Sequence, residues 1–401
     1  MAVPKLRFKE FDGRWENTSF QSLFTFKNGI NASKEQYGSG TKFINVLDII
    51  NNPNGITYDS IIGSVQVFQK DIDKNLVNYG DVVFQRSSET REEVGQSNVY
   101  LSKEPVVFGG FVIRGSARVS YDPLFMNGLL KTDKVRDQIT QLSGGSTRFN
   151  IGQDSLNKVS VFLPLKEEQT KIASFLSAVD EKISQLTQKH ELLSQYKQGM
   201  MQKLFSQQIR FKADDGSEFG EWEEISANEL FENYSNKDHD GTLTILAATQ
   251  DKGIVPRDEI DIDIKSSDAS VLSYKIIEKG SFVISLRSFQ GGIEYSNYYG
   301  ICSPAYTILR SLRPIASEFY KNYLKTNDFI QRLSATVVGI RDGKQISYQA
   351  FSTLNIDYPS VEEQTKIANF LSAIDQKIEV VAQQIEQAKQ WKKGLLQQMF
   401  V

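Results

Sequence analysis

Residues 167–183 read EEQTKIASFLSAVDEKI, and residues 362–378 read EEQTKIANFLSAIDQKI. Fourteen of these 17 positions are identical at a constant offset of 195. The offset continues without a gap, placing Tyr196 on Trp391, Gly199 on Gly394 and Phe205 on Phe400. Chance does not produce such a match. The chain is a tandem duplication, and whatever fold it adopts is built twice.

The duplicated stretch has the period of a coiled-coil seam. Its apolar residues in the first copy are Ile172, Leu176, Val179, Ile183, Leu186 and Leu193. In the second they are Ile367, Leu371, Ile374, Ile378, Val381 and Ile385, continuing to Ala388, Leu395 and Met399. Steps of four and three give the 3.5-residue repeat of a left-handed supercoil. Paired glutamates sit in the first turn, where the helix dipole favours anions, and Ser360 with Glu363 spells a capping box. About 35 residues at 1.5 Å each make a rod roughly 50 Å long. Two matched seams in one chain favour packing on each other over two helices lying each on its own domain. The pattern alone leaves parallel and antiparallel pairing open. Lys197 and Lys392, on seam positions near the ends, are expected where the seam loosens and side chains reach water.

The remaining sequence repeats a second plan. Short runs rich in Val, Ile and Phe, cut by Gly, Asn and Asp, fill the first 164 residues: 43–50, 65–68, 81–84, 105–108, 111–113 and 159–163. Residues 121–142 show helical spacing, enough for one or two helices. The second half echoes this, with Ile209-Arg210-Phe211 for Leu6-Arg7-Phe8, Trp222 for Trp15, and Gly280-Ser-Phe-Val-Ile for Gly80-Asp-Val-Val-Phe. The expected fold class is α+β. Two mainly-β domains, residues 1–164 and 206–360, are each followed by a helical segment, 165–205 and 361–401. The lone Cys302 suits a reducing compartment. No apolar run approaches the roughly 18 residues a membrane span needs, and the N-terminus lacks a signal-peptide core. The expectation is a soluble cytoplasmic protein without membrane contact.

A reaction centre is hard to find. Two histidines, His190 and His239, and one cysteine give no metal spacing, and His190 falls on the seam where the second copy has Ile385. Gly339-Ile-Arg-Asp-Gly-Lys344 is one residue short of a phosphate loop and lacks the following hydroxyl. Asp71-Ile-Asp-Lys-Asn75 opens like a calcium loop but lacks its glycine and closing glutamate. Asp122-Pro-Leu-Phe125 and Ser303-Pro-Ala-Tyr306 lack the second proline of the adenine-methyltransferase motif. No catalytic or metal-ligating residue is assigned.

What does recur in both halves is a set of loops joining basic residues to glycine and small hydroxyls. They carry Arg86, Ser87 and Arg91; Ser146, Thr147 and Arg148; Arg287, Ser288 and Gln290; and Arg341 with Lys344. Arginine reads guanine edges in bidentate fashion, while hydroxyls and glycine amides suit phosphates. A net charge of −3 gives no whole-chain signal for nucleic acid, and a local basic face is compatible with it. The loops differ between copies while the scaffold repeats, which points to two different recognition surfaces on one fold.

The repeated EEQTKIA-x-FL-S-A-x-D-x-KI segment, the alternation of divergent domain and repeated helix, and the Trp15 and Trp222 openings resemble the specificity subunits of type I restriction–modification systems. The resemblance covers the whole chain. It implies two target-recognition domains, each binding half of a bipartite double-stranded DNA target, and repeated helices forming an antiparallel coiled coil that separates the domains and docks partners. Half-sites one helical turn apart lie about 34 Å apart, within the reach of such a rod. It further implies two methyltransferase subunits using S-adenosylmethionine and two ATP- and Mg-dependent translocase–nuclease subunits, with no cofactor held by this chain. A methylation-only or fused methyltransferase–nuclease system is the alternative within the family. Outside it stand an autonomous DNA enzyme and a coiled-coil protein without DNA affinity.

Overall fold

Both copies of the repeated segment are single helices, Lys166–Phe205 of 40 residues and Val361–Met399 of 39. The structure, a computed structural model, describes residues 3–250, 252–260, 271–285, 288–336 and 346–401. Its two units do not follow chain order. One is Met1–Gln188 with Ala382–Val401, and the other is Lys189–Val381. Each unit therefore takes the start of one long helix and the end of the other, and within each the two segments run antiparallel. In the first, Phe175 meets Trp391 edge to face at 6.0 Å and Asp180 meets Lys392. In the second, Lys197 meets Asp375 at 2.7 Å.

In the first unit a four-stranded antiparallel sheet runs in the order Phe24–Asn28, Val112–Ala117, Val82–Gln85, Ser97–Val99. A smaller sheet places Tyr37–Ile44 between Ser64–Val65 and Val107–Phe108, the latter pair parallel. The second unit has a corresponding pair of sheets, both four-stranded. One orders Phe231–Tyr234, Thr307–Ser311, Phe282–Ile284 and Glu294–Tyr295. The other contains the parallel match of Ile245 to Ile301. One expected strand is a helix: Val46–Asn51 follows Asn45, whose side chain accepts from Leu47 N at 2.8 Å while Asp48 accepts from Asn45 N at 2.8 Å. This capping box overrides the β-branched composition of the run.

The first turns of each long helix serve their own β domain and the opposite helix end together. Ile172, Leu176 and Val179 join Phe84, Phe125 and Leu129 in one core that also receives Leu395, Met399 and Phe400. Ile367, Leu371 and Ile374 share a core with Phe282, Phe319 and Leu204. Phe400 packs on Phe125 at 5.1 Å, and Phe205, its repeat partner, packs on Phe319 at 5.3 Å. Burying one such ring contributes about 1.5–3 kcal/mol. Leu186 and Val381 are buried, and Ile183, Leu193, Ile378 and Ile385 half-buried.

The Glu-Gln pair at the head of each motif is consumed in fastening. Arg7 donates to both oxygens of Glu168 at 2.7 Å and to Gly13 O, and the Trp15 indole donates to the same carboxylate at 3.3 Å. Arg210, Gly220 and Trp222 repeat this around Glu363, with donor distances of 2.6–3.0 Å. Gln169 donates to Pro164 O and accepts from Asp122 N; Gln364 donates to Pro359 O and accepts from Ala316 N. Ser360 accepts from Glu363 N at 3.2 Å as expected, but the Glu363 side chain turns to Arg210 and Trp222, so the capping box is only half made. Lys197 and Lys392 likewise depart from expectation. Instead of reaching free water they pair with Asp375 and Asp180, at equivalent positions of the repeat. The chain's opening also mimics an internal connection: Leu6 N donates to Gln398 O at 2.9 Å, as Ile209 N does to Lys203 O at 3.2 Å.

Candidate nucleic-acid interface

In the first unit the fold brings two of the basic loops together. Ser87–Ser88 pairs antiparallel with Phe149–Asn150, and Ile151 N donates to Arg86 O at 3.0 Å. This two-stranded ribbon puts Arg86, Ser87 and Arg91 beside Ser146, Thr147 and Arg148. All are exposed except the half-buried Ser87. Gly144 and Asn150 exchange backbone hydrogen bonds at 2.9 and 2.8 Å and close the second loop. Its tightness rests on Gly145, at φ 126°, where a Cβ would lie 2.1 Å from Arg148 O. Arg91 lies over the Phe149 ring at 5.3 Å, and Arg86 Nη1 reaches Gly110 O at 3.4 Å.

The cluster is not a plain cationic patch. Arg86, Arg91 and Arg148 share the loops with Glu89, Glu92 and Glu93, three charges of each sign. Arg148 stands 4.0 Å from Glu89, both well exposed, and such a pair is worth little in water. Glu93 accepts from the buried Ser88 hydroxyl at 2.8 Å. A surface of mixed donors and acceptors suits base edges, where arginine reads guanine and carboxylates accept from cytosine. It suits uniform phosphate binding less.

Two features escaped the sequence reading. Arg136 supports the first loop from behind, donating to Glu92 O at 2.9 Å and Val94 O at 2.7 Å, with its pKa lowered by burial. Its repeat counterpart is Ile330, so an apolar position of one copy occupied by arginine in the other was the available signal. Beside Arg86, whose N donates to Phe111 O at 2.8 Å, opens a cleft of about 580 Å³ lined by Ile30, Tyr37, Phe43, Leu47, Ile62 and Phe111. Ile62 is 95% exposed and Phe111 65%, an apolar surface fit for thymine methyls or base faces.

In the second unit Arg287, Arg341 and Lys344 lie outside the described residues. Gln290 is exposed at the end of the short helix Ser288–Gly291. Ser288 is fully buried, its hydroxyl accepting from Ser285 N at 2.9 Å. It shapes the turn and presents no side chain to a ligand, which corrects its place among the candidates. Gly292, at φ 78°, passes so close that a Cβ would stand 2.3 Å from Leu324 O.

Among the described residues no group of three or more His, Cys, Asp or Glu could hold a metal ion, and no helix is long and apolar enough to cross a membrane. Burial pushes the Cys302 thiol up to about 12, far from a nucleophile's range. Asp48 and Asp81 are raised mainly by burial, and each accepts from a neighbouring backbone amide.

Comparison with known proteins agrees with this architecture. The type I restriction modification DNA specificity domain matches residues 13–195 and again 220–390. The chain is 23% identical to the putative type I restriction enzyme MjaX specificity subunit of Methanocaldococcus jannaschii, over 98% of this chain and 94% of that one. It is 26% identical to the MjaVIII specificity subunit of the same organism, over 62% of each. In structure it resembles the S subunit of a type I restriction–modification system from M. genitalium (TM-score 0.56, 18% identity, covering 100% and 99% of the two chains). The HsdS subunit from Thermoanaerobacter tengcongensis is similar too (TM-score 0.54, 16% identity, 96% of each).

Proposed function

Because the chain belongs to the type I restriction modification DNA specificity family and is a specificity subunit of that kind, we propose that its two β domains, residues 1–164 and 206–360, each read one half of a bipartite duplex target. The helices, residues 165–205 and 361–401, set the gap between the halves and dock methyltransferase subunits. Those partners supply S-adenosylmethionine chemistry on adenine, and ATP- and Mg-dependent translocase–nuclease subunits join them. This chain reads and assembles in the cytoplasm, and the reaction belongs to its partners.

The observation that carries the reading is one scaffold built twice with different loops. The Glu168 and Glu363 clamps repeat residue for residue, while the exposed strand at Arg86 and Ser87 in the first unit corresponds, in the repeat, to the turn of the buried Ser288 in the second. Base readout is local, so each surface selects its own half-site. The test exchanges residues 206–360 for the corresponding domain of a relative and sequences methylated adenines in cells supplying the partner subunits. One half of the motif changes and the other stays. A motif in which both halves change, or neither, defeats independent reading.

A further inference from the structure

A second cavity, of about 290 Å³, lies within the first unit where helix Pro123–Leu130 meets the start of one long helix and the end of the other. Its polar lining is Asn54, Asn127, Lys131, Ser177, Asp180 and Lys392. Two ammonium groups thus face one carboxylate, and Lys392 already holds it. Lys131 donates to the Pro53 carbonyl and has no carboxylate of its own among the described residues.

The duplication shows what this lysine lacks. Its counterpart Lys325 bonds the buried Glu294 at 2.6 Å. Glu294 stands opposite Val283 in the sheet, and the residue opposite Val83 in the first unit is Asn98. The Asn98 amide is spent on Ile49 O at 3.0 Å and Asn52 O at 2.5 Å. The first unit has the lysine without the anion. Lys131 is lowered to about 8, by burial first and then by Lys392, with Asp180 opposing them.

A buried acceptor completes the site. Asn127 is 5% exposed, and its Nδ2 donates to Pro53 O at 3.2 Å. Its Oδ1 has no hydrogen-bond partner among the described residues. Exchanging the two amide atoms would set oxygen against the Pro53 carbonyl, so the acceptor stays on the unpaired side. A ligand here must offer negative oxygens to two lysines and a hydrogen to one amide oxygen.

We propose that this cavity binds one phosphate that retains a hydroxyl, its oxygens on Lys131 and Lys392 and its O–H donating to Asn127 Oδ1. Sulfate and chloride at neutral pH have no hydrogen to give. The phosphodiester of a DNA backbone has none either, and a phosphate monoester, with its second pKa about 6, has mostly lost its own at neutral pH, so the ligand is free inorganic phosphate. The bound ion links Lys131 of the β domain to Lys392 of the second long helix and stiffens the seat of one on the other.

Calorimetric titration of the full chain with inorganic phosphate at neutral pH tests this, with sulfate and chloride as controls. One phosphate per chain is expected, with sulfate weaker by about tenfold for the missing hydrogen bond. Lys131→Met abolishes binding; it removes a charge that burial disfavours, and circular dichroism verifies that it folds. Asn127→Leu keeps both lysines and binds phosphate no better than sulfate. Failure of the wild-type chain to saturate with phosphate, or undiminished binding by K131M, overturns the site. Equal wild-type affinity for phosphate and sulfate overturns the role given to Asn127.

Discussion

Arg210 grips both oxygens of the Glu363 carboxylate, at 3.0 and 2.8 Å, although Glu363 is fully buried and Arg210 still reaches solvent. The carboxylate is compensated by two guanidinium bonds and one indole bond. Removing it strands the donors, whereas the burial itself was already balanced. Glu363→Ala is therefore expected to cost about 3 kcal/mol, the lower edge for a broken buried pair. Glu363→Gln, which keeps one acceptor, costs less. Urea unfolding of both variants checks the order, and an unperturbed midpoint for E363A would show the clamp to be ornamental.

Gly145 offers a way to disturb one recognition loop while sparing the core. Gly145→Ala forces a side chain onto Arg148 O at a φ only glycine adopts readily. Thermal stability is expected to fall by only about 1–3 kcal/mol, the cost of local strain, while affinity for the first half-site drops. Arg86→Ala or Arg148→Ala should cost about 1–3 kcal/mol where the lost contact is to a base, relaxing the motif at one position. A lost phosphate contact instead weakens all sequences alike and lowers the salt slope by about one. Filter-binding of the assembled methyltransferase at several salt concentrations separates these outcomes. Unchanged affinity and slope for all three variants would remove the ribbon from the interface.

Lys131 should leave a signature in the pH dependence of stability. Its folded pKa, about 8, lies below the usual lysine value, so the folded state binds the proton less well than the unfolded chain. The destabilisation is fully present below about pH 8 and is relieved as pH rises toward the unfolded value near 10.4. In phosphate-free buffer Lys131→Met is thus expected to be more stable than wild type at pH 7, by at most about 3 kcal/mol, with the gap closing at alkaline pH. Paired denaturation curves at neutral and alkaline pH read this difference. A gap independent of pH would assign the effect to packing.

Much of the architecture was legible because duplication amplifies weak signals. A 3.5-residue period seen twice at one offset identifies both long helices, and repeated turn residues identify the β plan. Less legible was anything set by contacts distant in sequence. Glu363 reads as a capping residue until Arg210, 153 positions away, claims its oxygens. Lys392 reads as a solvated end until Asp180 is brought beside it. Ser288 has the composition of a phosphate contact, and only its burial shows that it serves the turn. The pairing of the Arg86 and Arg148 loops depends on a ribbon of two residues per strand, too short for any periodicity.

The hydrogen bond from Leu6 to Gln398 reproduces that from Ile209 to Lys203, so a permuted chain should fold. Three residues, Ser206, Gln207 and Gln208, separate Phe205 from Ile209, and the middle one has φ 57°. Joining Val401 to Lys5 through one glycine puts three residues between Phe400 and Leu6, with glycine at that middle place. New ends are opened between Phe205 and Ile209. The permutant is expected to unfold within about 1–3 kcal/mol of the parent, since beyond the loss of the buried Pro4 only an exposed connection changes. Loss of cooperative unfolding would show that the two connections are not equivalent.

The last expectation concerns the gap between half-sites. Both helices pass from one unit to the other, at Gln188–Lys189 and Val381–Ala382. Because the helices pair antiparallel within each unit, a heptad added to one alone would slide every later pair out of match. One heptad must enter each helix at its crossing point, in register with the seam, so that neither unit loses an internal contact. The insertion adds about 10 Å at 1.5 Å per residue, close to three base pairs of rise. Three pairs also rotate the far half-site by roughly 100° at 10–10.5 pairs per turn. The supercoil turns much less over one heptad, about 20°, so the lengthened protein meets a twisted target and binds it more weakly. The methylated motif is expected to keep both half-site sequences while its unspecified gap grows by about one to three pairs. Circular dichroism and co-purification with the methyltransferase first establish that the lengthened chain folds and assembles. Robust methylation at the original gap by that assembled enzyme would show that the helices do not set the spacing.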